Sequence, residues 1–129
     1  MAKKSKPTKA ATPPDMSSDF DIVIVGQGGR LQYECLLLAA SLRANAPTFS
    51  GALYVAEPQA GPLWTKDPGM PGDIKRALEE LGAVILPFEN ETFGESYPHG
   101  NKIEALCAMP QGRNFLFLDS DTLILGDIG

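Results

Sequence analysis

The chain has 129 residues, room for one domain with a real core but cramped for a complete two-part active site. Its formal charge of −5 is unevenly placed: Lys3, Lys4, Lys6 and Lys9 stand against Asp15 near the start, so everything after them sums to −8. An acidic body excludes general binding to nucleic acid, whose phosphates require a basic face.

Residues 1–18 are rich in Lys, Pro, Thr, Ser and Ala and hold no apolar run, the composition of a disordered basic tail. A secretory signal needs roughly 7–15 apolar residues behind its basic start, and a membrane span roughly 20. The sequence offers neither, so a cytoplasmic protein is expected. Phe20 to Val25 (FDIVIV) reads as a strand buried on both faces and closed by Gly26. After Gln27-Gly28-Gly29 the spacing predicts a helix over residues 30–44, with Leu31, Cys35, Leu38 and Leu42 as its apolar stripe and Asn45-Ala46-Pro47 as its stop.

Ala52 to Ala56 form a second strand, and the prolines and glycines from Pro58 to Gly72 predict a long loop. Asp73 is placed to cap a short helix whose Ile74, Ala77, Leu78 and Leu81 share a face, ending at Gly82. Val84 to Leu86 make a third strand. Beyond a polar loop, Asn101 is expected to cap a helix with Glu104 returning the bond, and Pro110 ends that helix. Phe115 to Leu118 form a fourth, buried strand. Cys35 and Cys107 both fall in expected helices and read as packed thiols rather than a disulfide or a metal pair.

This alternation implies an α/β, Rossmann-like, mostly parallel sheet over residues 19–129, with helices on both faces and right-handed crossovers. Ligands of such sheets collect at the carboxyl ends of the strands, which puts Gly26, Glu57 and Asp119 on one rim. There the fourth strand runs into Asp119-Ser120-Asp121. Two carboxylates so close together are costly without a compensating cation. Hard oxygen donors suit magnesium, manganese or calcium, and such a cation would stabilise charge on a departing diphosphate. The pair is leaving-group machinery rather than a nucleophile.

Asn101-Lys102-Ile103-Glu104-Ala105-Leu106, together with the run from Asn114 to Ile128 (NFLFLDSDTLILGDI), resembles the central block of glycogenin-like, family 8 glycosyltransferases. Ser41-Leu42-Arg43 is similar to a shorter motif of that family. The resemblance implies a GT-A fold, of which this chain would be the N-terminal, nucleotide-sugar-binding part, truncated at its C-terminus. It implies transfer of a hexosyl group from a nucleoside diphosphate sugar, a UDP-sugar foremost, to an acceptor hydroxyl with retention at the anomeric carbon. Asp119 and Asp121 would hold Mn2+, or else Mg2+, and Lys102 would lie beside the donor, with Gly26, Gln27 and Ser120 as further contacts. The chain departs from the family after the first strand, where Gly26-Gln27-Gly28-Gly29-Arg30-Leu31 replaces the aromatic and polar residues that hold the base. Tyr33 is the nearest ring. The family's third metal ligand, a later His, has no counterpart, since His99 precedes the helix. The chain alone is therefore expected to bind nucleotide weakly and to transfer little.

Two other enzyme classes compete. Gly26-Gln27-Gly28-Gly29-Arg30-Leu31, with Glu57 placed to hold a ribose, suggests a dinucleotide-binding oxidoreductase, but Leu31 stands where the third glycine is needed. Haloacid-dehalogenase-like phosphatases also end a strand in Asp-x-Asp, but their Thr comes two residues after the second Asp, where Leu123 stands. A truncated nucleotide-binding protein without activity is the non-enzymatic alternative.

Overall fold

The computed structural model of the chain describes residues 19–96 and 98–128; the expected basic tail, residues 1–18, lies outside them. Among the described residues the elements are β1 (Phe20–Val25), α1 (Arg30–Asn45), β2 (Leu53–Pro58), α2 (Gly72–Glu80), β3 (Ala83–Phe88), a 3-10 turn (Pro98–Gly100), α3 (Asn101–Leu106) and β4 (Asn114–Phe117). The sheet is parallel throughout, in the order β3-β2-β1-β4, and the chain is of the α/β class that the alternation predicts.

The apolar run of β1 is continuous because the strand serves two cores. Successive side chains of a strand point to opposite faces. Ile22 and Ile24 pack with Cys35, Leu38 and Leu42 of α1 and Leu78 of α2, while Val23 and Val25 pack with Ala105 of α3 and with Met109. Asp21, the one charged residue of β1, is buried and works as a clamp. Its carboxylate accepts two hydrogen bonds from Arg113, Nε to Oδ2 at 3.1 Å and Nη2 to Oδ1 at 2.9 Å, and a third from the Ala52 backbone N–H at 2.9 Å. The amino ends of β1, β2 and β4 are thereby joined. The Arg113 bonds outweigh the opposing effect of burial and hold the Asp21 carboxyl below its ordinary range, with the Ala52 bond adding to them.

Several boundaries differ from expectation, each for a physical reason. β3 runs through Pro87 to Phe88, which is possible because β3 is an edge strand and the missing N–H of Pro87 costs no ladder bond on the outer side. α2 starts at Gly72 with Pro71 as its cap residue, so Asp73 lies inside the first turn rather than capping it. The helix does end as predicted, with Gly82 at φ 83° beyond it. α3 stops at Leu106 and tightens into three-residue turns through Met109, which leaves Cys107 exposed just past the helix. The largest difference is β4: pairing only with β1, it is an edge strand with Phe115 and Leu116 40% and 43% exposed, not a buried one.

Candidate functional site

The chain moves from β1 through β2 to β3 in one direction and returns to lay β4 along the other side of β1. At such a reversal the connections leave the sheet on opposite sides, and a crevice opens between the carboxyl ends of the two strands. Here it is a cleft of about 330 Å³. Val25 and Gln27 line it from the end of β1, Leu31 and Glu34 from α1, Asn101 and Lys102 from the start of α3, and Phe117 to Asp121 from the end of β4.

Past β4 the chain turns, the Thr122 N–H donating to the Asp119 carbonyl at 3.1 Å. Within this turn Ser120 is buried, while Asp119 and Asp121 on either side of it are exposed. The following segment is pinned by α1, since Ser41 Oγ accepts the Ile124 N–H at 2.9 Å and Asn45 Nδ2 donates to the Ile124 carbonyl at 2.7 Å. Arg43 donates to the carbonyls of Leu81 and Gly82. Ser41-Leu42-Arg43 thus acts as scaffold: Ser41 fixes the turn after the acidic pair, Leu42 fills the core, and Arg43 ties α1 to the end of α2.

Lys102 Nζ lies 2.6 Å from Asp119 Oδ1. Short as it is, the contact joins side chains about half exposed, 48% and 57%, and such a pair contributes no more than about 1 kcal/mol. A ligand can open it at little cost, releasing an ammonium and a carboxylate together. Asp119 Oδ2 and the Asp121 carboxylate are hard oxygen donors that suit Mg2+ or Mn2+, ions that commonly take one or two protein carboxylates and fill the rest of their shell with water and phosphate oxygens. Among the described residues no three His, Cys, Asp or Glu side chains converge to hold a metal.

Gly26 contributes differently. It is buried and absent from the cleft wall, and a Cβ there would fall 2.4 Å from Val55 Cγ1 and 2.8 Å from Met70 Cε. Gln27 does reach the cleft, and Asn101 Nδ2 donates to its Oε1 at 3.0 Å. Asn101 is no helix cap, because the helix begins at Asn101 and its buried side chain points to Gln27 and Asn90. Nor does Glu104 close a capping box. Burial pushes its carboxyl up, but hydrogen bonds from the Asn90 side chain and from the backbone N–H groups of Glu91, Phe93 and Thr92 outweigh that and hold it below its ordinary value.

The glycine turn after β1 is used internally. Gly28 N–H donates to the Pro68 carbonyl at 2.8 Å, and Gly29 N–H to Gln32 Oε1 at 3.3 Å. A Cβ on Gly28 would lie 2.7 Å from the Gly69 carbonyl oxygen, so the close approach that requires a glycine is to the chain's own backbone. Glu57, 2% exposed, accepts the Met70 N–H at 2.7 Å and pairs with Lys75 Nζ at 3.4 Å, anchoring the same loop rather than facing the cleft. The Gly28 and Gly29 N–H groups that a pyrophosphate would use, and the Glu57 carboxylate that a ribose would use, are thus engaged within the chain, which counts against the dinucleotide reading.

Tyr33 is 58% exposed on α1 and does not line the cleft. Arg30, Glu34, His99 and Asn101 do line it, and none was expected there. Arg30 and Glu34 pair across one helical turn at 3.3 Å, a spacing legible in the sequence, whereas the approach of α3 to β1 that brings in His99 and Asn101 is tertiary.

No curated protein matches the sequence. The model of one family, described as the Rhodobacterales glycosyltransferase domain, matches residues 22–129, from the third residue of β1 through the acidic turn and beyond. With a parallel α/β sheet and a cleft at its point of reversal, the chain belongs to the Rhodobacterales glycosyltransferase domain family.

Proposed function

We propose that this domain binds a nucleoside diphosphate sugar, a UDP-sugar foremost, in the cleft between β1 and β4 and passes its hexosyl group to an acceptor hydroxyl with the help of a divalent cation. The observation that carries this is the convergence of Lys102, Asp119 and Asp121 at the carboxyl ends of adjacent parallel strands, with the lysine paired only weakly. Asp119 and Asp121 would hold Mn2+ or Mg2+, and the bound cation would neutralise the diphosphate and accept the charge that grows on it as the glycosidic bond breaks. Lys102, released from Asp119, places a second positive charge on the same phosphates. Gln27 and Ser120 line the same cleft as further contacts for the donor. The similarity of the Lys102 and Asp119 blocks to glycogenin-like enzymes supports a GT-A-type site and retention of anomeric configuration. No residue is assigned as nucleophile or base.

Titration of UDP-glucose, UDP-galactose, GDP-mannose and NAD, with and without manganese, tests the proposal. A manganese-dependent nucleotide-sugar isotherm that Asp119→Ala or Asp121→Ala removes is the expected result. Metal-independent binding of NAD, unaffected by either substitution, would overturn it in favour of an oxidoreductase.

A further inference from the structure

A chain of side-chain hydrogen bonds runs from the loop after β2 to the cleft and ends on Gln27. At its far end the half-buried Trp64 donates from Nε1 to Asn90 Oδ1 at 2.7 Å. Asn90 Nδ2 donates to Glu104 Oε1 at 2.9 Å and to Asn101 Oδ1 at 2.8 Å. Asn101 Nδ2 in turn donates to Gln27 Oε1 at 3.0 Å. The two ends of an amide are distinguished by their partners, and here the partners leave no choice. An indole N–H can only donate. The Glu104 carboxylate, which already receives the N–H groups of Glu91, Thr92 and Phe93, can only accept. Asn90 must therefore turn its oxygen to Trp64 and its nitrogen to Glu104 and Asn101. Asn101, only 2% exposed, must answer with its oxygen and is left to present its nitrogen to Gln27. Gln27 meets that nitrogen with Oε1, so its own Nε2 is the atom turned to the cleft, and among the described residues Nε2 has no partner.

We propose that Gln27 is a specificity-determining residue: the Asn90–Asn101 relay locks its amide with the N–H groups facing the cleft, so a ligand must present an oxygen acceptor there, either a nucleobase carbonyl or a phosphoryl oxygen. A neutral, fixed donor discriminates by unpaired partners. A ligand that places an N–H at this point leaves two donors facing each other in a partly buried wall. Asn101 and Asn90 are positioning residues, which act through the orientation they impose. The choice of nucleotides as probes rests on the glycosyltransferase reading; the orientation of Gln27 does not.

The orientation is read first, in the free protein, from side-chain amide hydrogen exchange by NMR. The Asn90 and Asn101 amide protons are expected to be protected and those of Gln27 to exchange freely. Protected Gln27 protons in the free protein, or freely exchanging Asn101 protons, would overturn the relay whether or not any nucleotide binds. Asn101→Asp keeps the shape but removes the donor, so Gln27 should reverse and its protons become protected; unchanged exchange would sink the proposal. Affinity is read second, with UDP, CDP and uridine in the presence of Mg2+: uracil carries a C4 carbonyl and an N3–H where cytosine carries an amino group and a bare N3, both bases share the C2 carbonyl, and uridine lacks the phosphates. Gln27→Met is expected to weaken UDP about tenfold and Gln27→Glu further. If the partner is the C4 carbonyl, wild type prefers UDP, Gln27→Met loses the preference and Asn101→Asp inverts it. If it is the C2 carbonyl, Gln27→Met weakens UDP, CDP and uridine alike; if it is a phosphoryl oxygen, it weakens UDP and CDP equally and leaves uridine unchanged. Unaltered binding of both by Gln27→Met overturns the specificity role. Failure of the wild type to bind either nucleotide would instead strike the glycosyltransferase reading, with the exchange data still deciding the relay.

Discussion

Lys102 and Asp119 form the shortest ion pair described, yet its exposure makes it a poor stabiliser. Lys102→Met should therefore shift the unfolding free energy by less than about 1 kcal/mol in a denaturant titration. In the same variant, calorimetry should show nucleoside diphosphate binding weakened at least tenfold, since a charge-assisted contact to phosphate contributes about 1.5–3 kcal/mol. Equal losses in both measurements would make Lys102 a scaffold residue. The two cysteines separate in a similar way. Burial, with the neighbouring Glu34 charge adding to it, pushes the Cys35 thiol up to about 12, and the thiol lies 3.3 Å from the Val25 carbonyl, whereas Cys107 is exposed. A thiol reagent at neutral pH should modify Cys107 alone in the native protein and both after unfolding, as mass spectrometry would report. Asp119 and Asp121 stood out in the sequence because two carboxylates at the end of an apolar strand are unusual and their spacing is local, whereas Lys102, on a different element, was marked only by the resemblance of its block to glycogenin-like enzymes. Asn101 was misread for the opposite reason. An Asn at the start of a helix has a ready local role as a cap, and only packing against β1 shows that its side chain turns to Gln27 instead.

Among the elements, the loop from Gln59 to Pro71 and the strand β4 are each held by a few polar contacts. Gly28→Ala would drive a Cβ into the Gly69 carbonyl, a backbone atom that cannot step aside. A loss of about 1–3 kcal/mol is expected, with faster proteolysis within the displaced loop. At the amino end of β4, Asp21→Asn keeps the shape of the clamp but removes its charge, and should cost about 1–3 kcal/mol at neutral pH. Because the folded-state value of Asp21 is lowered, its stabilisation is complete above the ordinary carboxyl range near about 4 and fades as pH falls through the lower folded value. Thermal melts of wild type and Asp21→Asn should thus differ at pH 7 and converge in acid; a constant difference would show that the charge is not what matters. All four strands could be found from apolar runs, a mark that burial on two faces explains in the central β1 and β2 but not in the partly exposed edge strands β3 and β4. Their ends were less visible. Whether Pro87 closes β3 depends on its being an edge strand, and whether β4 is covered depends on the order of the whole sheet; neither is written in a local stretch of sequence.

For the molecule as a whole, the sheet's order was the least legible feature, because alternation of strands and helices fixes parallel pairing but not which strand β4 joins. Its place at the edge leaves Phe115 and Leu116 exposed, with Leu123 and Leu125 beyond them at 56% and 84%. An uncovered apolar edge invites association between chains. Leu116→Lys should raise the concentration at which light scattering first appears without altering the circular dichroism spectrum. The same placement of β4 has a consequence in time. β1, α1, β2, α2 and β3 pair with near neighbours in sequence, but Phe20 to Val23 meet Asn114 to Phe117 only after nearly the whole chain has been gathered. Loops of that length close late, so in refolding the first three strands should assemble before the fourth. Since Asp119 and Asp121 arrive on β4 and Gln27 waits on β1, the cleft does not exist until that last docking. A nucleotide added during refolding should accordingly leave the early phase untouched and slow only the undocking of β4, so that occupancy of the cleft sets the lifetime of the finished sheet.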